Sequence, residues 1–118
     1  MSQRTARVSD LIRRELSEVI VQRLQDPRVR LATVSRVHVT RDLKRAIVQM
    51  SILGDDDARE EALEGLEHAR GFLRSALARR LRSMKVIPDL IFELDRGAEY
   101  SANIEDVLES LHDENQSS

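Results

Sequence analysis

The chain predicts an α+β domain in which helices cover one face of a three-stranded sheet. Three observations predict it. Apolar residues recur at three- and four-residue spacing near the start and in the middle of the chain. Two alternating runs, joined by a short polar link, lie between those helical stretches. A third alternating run follows the central helices, so the chain must cross over to rejoin the sheet, which permits one parallel pairing. With 118 residues, the chain suits one domain with one core.

Residues 5–24 form the first helix, with Val8, Leu11, Ile12, Leu16, Val19, Ile20 and Leu24 on its apolar face. Asp26-Pro27 ends it, because proline cannot continue a helix and restrains its predecessor. Residues 31–40 read as a strand carrying Val34, Val37 and Val39, and residues 45–53 as its hairpin partner, with Ala46, Val48, Met50 and Ile52 on one face. Gly54-Asp55-Asp56-Asp57 is a loop and a helix start, where one aspartate caps the free amides. An acidic helix over 58–70 buries Ala62, Leu63, Leu66 and Ala69. A basic helix over 72–84 buries Phe72, Leu73, Ala76, Leu77 and Leu81. Gly71 stands between them as the expected bend. Pro88 breaks the helical pattern, and Leu90, Phe92 and Leu94 alternate across a third strand. Ile104, Val107, Leu108 and Leu111 predict a last helix over 101–112. Residues 1–112 then make a single domain, and the polar tail 113–118 is expected to be disordered.

The net charge of −2 conceals blocks. Residues 54–71 carry seven acidic side chains and two basic ones, whereas residues 72–87 carry five basic and none acidic. Polyanion binding depends on such local surface rather than on the total. With two Phe, one Tyr and no Trp, the chain is poorly equipped to bind single strands by stacking alone. It has no Cys, hence no disulfide and no thiolate zinc site. No stretch reaches the ~20 apolar residues that span a bilayer, and no signal-peptide core follows the N-terminus. A cytoplasmic protein without membrane contact is expected. His38, His68 and His112 share no metal-ligand spacing, and there is neither a Walker-type loop nor a Gly-x-Ser-x-Gly elbow. No enzyme, metal or cofactor is expected.

Several motifs carry a resemblance. They are Arg13-Arg14-Glu15-Leu16, Asp26-Pro27-Arg28, Val34-Ser35-Arg36-Val37-His38-Val39-Thr40-Arg41-Asp42-Leu43, Gly71-Phe72-Leu73-Arg74 and Pro88-Asp89-Leu90-Ile91-Phe92. In this order and spacing, from about Arg7 to Leu111, the chain resembles the ribosome-binding factor A family of bacterial small-subunit maturation factors. The element order is similar to the KH fold of type II, with Ala69-Arg70-Gly71 resembling the family's interhelical Ala-x-Gly kink in place of Gly-x-x-Gly. The resemblance implies non-catalytic binding to the free or immature 30S subunit through 16S rRNA, as an aid to late maturation. It also implies release assisted by a ribosome-associated GTPase, though no residue of the chain identifies that contact.

The candidate RNA contacts are basic side chains that bind phosphate without reading sequence. Arg70, Arg74, Arg79, Arg82 and Lys85 come first, with Arg79 and Arg82 sharing the outer face of the basic helix and Arg80 snorkelling from its end. Arg4, Arg7 and Arg14 extend the same surface. Arg41, Lys44 and Arg45 cluster at the hairpin link, with Asp42 capping that turn. Simple solvation of charged faces is the plain alternative for each set. The competing function is a protein adaptor docking through the acidic helix and acidic C-terminus. No large apolar stripe is left over once the core is built, so a monomer is expected.

Overall fold

The computed structural model describes residues 3–96. The expected helix over 101–112 and the tail 113–118 lie outside the described residues. Helix α1 spans Gln3–Arg23, strand β1 Ala32–Val39, strand β2 Arg45–Ile52, helix α2 Asp56–His68, helix α3 Arg70–Arg80 and strand β3 Asp89–Leu94. The strands lie in the order β1-β2-β3. β1 and β2 are antiparallel, and β2 and β3 parallel, with α2 and α3 as the crossover that a parallel pair requires.

The core sits between one sheet face and the three helices. β2 contributes Ala46, Val48, Met50 and Ile52, and β3 contributes Leu90 and Phe92. Against them pack Ile12, Leu16 and Val19 from α1, Leu66 from α2, and Leu73 and Leu77 from α3. Each such large side chain, taken fully out of water, stabilises the fold by about 1.5–3 kcal/mol before entropy is counted. β1 keeps to this face through a bulge. Val34 and Val37 are an odd number of positions apart, so plain alternation would put them on opposite faces. The register shifts between Val34 and Arg36, and Val37 and Val39 return to the core.

Asp55 caps α2, its Oδ1 accepting from Ala58 N at 2.8 Å. After α1, Asp26 opens a 3-10 turn over Pro27–Val29 and accepts both the Arg28 amide and the Arg28 guanidinium. These interactions, the guanidinium first, hold the Asp26 carboxyl below its usual range. Gly65, buried in α2, faces this turn so closely that a Cβ there would lie 3.1 Å from both Asp26 Oδ2 and Val29 Cγ1.

Two expectations about the helix pair need correction. The break falls at Ala69 (φ −89, ψ 0), while Gly71 lies inside the first turn of α3 with open space around it. The bend therefore uses a backbone conformation open to alanine and does not draw on glycine's extra freedom. The basic helix also ends at Arg80 rather than at residue 84. Leu81 leaves helical geometry (φ −108, ψ 58) and turns its side chain into the core. Arg82 and Lys85 thus lie on the irregular segment leading to β3, and the shared helical face expected for Arg79 and Arg82 does not exist.

Candidate nucleic-acid interface

Contacts between distant segments bring most of the basic candidates to one end of the sheet. The hairpin turn between β1 and β2 defines that end. α1 reaches it where Ser9 Oγ accepts from Val39 N at 3.0 Å, which places Arg4 and Arg7 on the helical turns that precede Ser9. β3 begins there, with Asp89 N donating to Lys44 O at 2.9 Å. α3 lies against the later turns of α1, where Arg80 Nη1 is 3.0 Å from Glu15 and 2.6 Å from Glu18, and the segment that follows it returns to the turn at Asp89. Arg4 and Arg7, and Arg41, Lys44 and Arg45, are thereby gathered at the turn, with Lys85 four residues before Asp89, whereas Arg79 and Arg82 flank the end of α3 that Arg80 fastens to Glu15, Glu18 and Gln22 of α1. All eight are exposed, and none makes an ion pair among the described residues.

The remaining candidates have other engagements. Arg74 donates to Ile87 O at 2.8 Å and stands 3.5 Å from Asp89, fastening α3 to the segment that enters β3. Arg14 lies 3.5 Å from Asp10 on its own helix. Arg70 lies 3.4 Å from Glu67. It also sits away from the turn, because α3 starts beside the C-terminal end of α1, where Arg23 stands 5.4 Å from the Phe72 ring. Arg80, expected to snorkel freely, is a clamp between helices that donates to Glu15, Glu18 and Gln22. Its helical position faces α1, and three acceptors on one side of that helix complete the site. Their spacing along α1 was visible in the sequence, but the pairing of α1 with α3 was not.

The turn itself is densely bonded. Thr40 N donates to Arg45 O at 3.0 Å and Leu43 N to Thr40 O at 2.9 Å. Asp42 Oδ1 accepts from Thr40 Oγ1 at 2.7 Å and from Lys44 N at 3.0 Å, as expected of a turn cap. Thr40 Oγ1 in turn accepts from Arg45 N at 3.2 Å. The Thr40 hydroxyl first, then the Lys44 amide, hold the Asp42 carboxyl below its usual range. Sequence reasoning missed Leu43, which takes φ 61 and packs against the core. The available signal was a leucine in an otherwise polar link that has no glycine.

Among the described residues no group of three or more His, Cys, Asp or Glu is placed to hold a metal ion, and no helix is long and apolar enough to cross a membrane. The site offers cations on a rigid frame, which suits phosphate contacts.

The comparisons with known proteins agree on one family. A family model described as ribosome-binding factor A matches residues 4–108. A ribosome-binding factor A from Roseiflexus sp. is 44% identical over 114 residues, covering 97% of this chain and 88% of the relative. The crystal structure of ribosome-binding factor A from Thermus thermophilus is 35% identical and superposes with a TM-score of 0.71, covering 80% of this chain and 98% of that one. A homology model of the Thermus thermophilus factor, fitted into a cryo-electron microscopy map of its complex with the 30S subunit, is 37% identical with a TM-score of 0.63, covering 74% and 90%. Sequence, fold and helix arrangement together place this α+β, KH-like chain in the ribosome-binding factor A family.

Proposed function

We propose that the protein binds the small ribosomal subunit through 16S rRNA and assists its late maturation without catalysing a reaction. One observation carries the reading: exposed cations from the N-terminal turns of α1 and from the β1–β2 link meet at the hairpin end of the sheet, and the segment carrying Lys85 leads back to it. The names of the relatives and the 30S complex of the Thermus thermophilus factor support it. A factor of this kind acts by preferring one rRNA conformation, because equal affinity for all conformations shifts no population. It must then leave, and release assisted by a ribosome-associated GTPase completes the proposal. The protein works as a cytoplasmic monomer.

The test replaces Arg79, Arg82 and Lys85 together by alanine and follows co-sedimentation with purified small subunits against salt. Each lost phosphate contact lowers the slope of log affinity against log salt by about 0.7–0.9. A drop of about 2 is expected. An unchanged affinity and slope in the folded variant would remove Arg79, Arg82 and Lys85 from the RNA face.

A further inference from the structure

Leu43 is the only residue other than glycine with positive φ among the described residues, and it stands in the middle of the basic turn. Left-handed backbone is unfavourable for a bulky L-residue, and turns normally place glycine or asparagine there. Here the leucine side chain packs against the core while Arg41, Asp42 and Lys44 around it stay exposed. Hydrogen bonding anchors the rest of the turn. The amides of Leu43, Lys44 and Arg45 are all taken by acceptors within it. Asp89 N holds the Lys44 carbonyl and so ties the turn to β3. Asp42, the acid nearest the cations in sequence, points its carboxylate oxygen at Thr40 and the Lys44 amide. What the turn offers outward is therefore positive side chains on a fixed backbone, around one carboxylate whose Oδ1 is already bonded. Strain that persists in an exposed turn, held from several sides, marks a geometry worth more than local comfort.

We infer that the 40–45 turn is a preorganised grip for neighbouring phosphates of an RNA backbone, with Arg41 and Lys44 as the contacts and Leu43 as the positioning residue. The inference rests on the proposed rRNA binding and names where its most rigid contact lies. A turn ordered before binding loses only side-chain freedom when the phosphates arrive. The turn's hydrogen bonds and its partly buried leucine make it the anchor of the grip.

Three variants of the full chain, each checked for cooperative unfolding, test this by co-sedimentation with small subunits across a salt series. Arg41→Ala/Lys44→Ala is expected to flatten the salt slope by about 1.5. Leu43→Gly keeps every charge and frees the turn. Its affinity is expected to fall about five- to tenfold with an unchanged slope, since the loss is one of order rather than of charge. Leu43→Met keeps an apolar anchor and is expected to restore wild-type affinity. Should Leu43→Gly not fold, Thr40→Val removes the hydroxyl lock and is expected to give the same affinity loss at constant slope. Wild-type affinity in a folded Leu43→Gly or Thr40→Val variant overturns the positioning role. An unchanged slope in Arg41→Ala/Lys44→Ala, beside a flattened one in the Arg79, Arg82 and Lys85 variant, overturns the grip but spares the proposed function. Unchanged slopes in both overturn the two together.

Discussion

Gly71 and Gly65 show how one residue type does different work in neighbouring helices. Gly71 is helical, exposed and free of neighbours within 4 Å of a Cβ. Gly71→Ala is therefore expected to stabilise the protein by about 0.5 kcal/mol through helix propensity, as measured by chemical denaturation. Loss of stability there would restore the glycine as the hinge. Gly65 lies under the Asp26–Arg28 turn with no room to spare. Gly65→Ala gains the same propensity but must displace Val29 and the bonded Asp26 carboxylate. A net loss of about 1 kcal/mol is expected. Arg80 makes a contrasting case among the arginines. Its partners are on α1, so Arg80→Ala is expected to lower the thermal unfolding midpoint slightly while leaving the salt slope of RNA binding untouched. A flattened slope would move Arg80 into the contact set. The sequence marked all these arginines as cations, but only their neighbours separate the interhelical clamp from the exposed side chains that make no ion pair among the described residues.

Among the elements, β3 holds the clearest electrostatic liability. Its inward residues Leu90 and Phe92 join the core, while Glu93 lies on the other face, paired in register with Gln49. Glu93 Oε2 and Gln49 Oε1 are buried without a hydrogen-bond partner among the described residues. Burial pushes the Glu93 carboxyl above its ordinary value of 4.5. A raised carboxyl pKa means that the folded state holds its proton more tightly than the unfolded state does. Glu93 thus costs stability at neutral pH, and the cost disappears as the pH falls below 4.5. Glu93→Gln is expected to raise stability at pH 7 and to leave it unchanged at pH 4, in denaturant titrations at both. An equal gain at both pH values would assign the effect to packing instead. Asp26 and Asp42 run the opposite way. Their lowered values give stability that is present above 3.8 and lost as the pH falls through the folded-state value. The elements also show where periodicity stops informing. The core face of β2 passed from sequence to sheet, although Ile47 and Gln49 on its other face are buried too, whereas β1 needed a bulge and α3 stopped at Arg80.

Across the whole molecule, charge is polarised along the sheet. Arg4, Arg7, Arg41, Lys44 and Arg45 gather at the hairpin end, while exposed Arg30 and the start of α2 lie at the other, where Arg59 Nε approaches Ile52 O at 3.4 Å. β2 separates the two ends by about 24 Å, given a rise of about 3.4 Å per residue. That is about three Debye lengths at physiological salt, so the start of the acidic helix is largely screened from the turn. Its field reaches further at low salt and favours approach by the basic end. Neutralising Glu60, Glu61 and Glu64 to glutamine is expected to speed association with small subunits only below about 0.05 M salt, measured by stopped-flow mixing. A several-fold change in equilibrium affinity at 0.15 M salt would instead make α2 part of the contact.

By itself the sequence determined the order of the described elements, most of the core, the charge blocks and the family resemblance, though Phe72, expected inward, is exposed. All of these follow from local spacing and residue type, and Ile12, Leu16, Val48 and Leu90 stand where their periodicity puts them. Only the tertiary structure decided which cations lie together. Arg4, Arg41 and Lys85 are far apart along the chain, and spacing carries no information on which helix end meets which turn. It also decided that Arg74 and Arg80 hold the fold, and that Leu43 accepts left-handed backbone. Partner choice and strain depend on groups that packing alone brings within hydrogen-bonding distance.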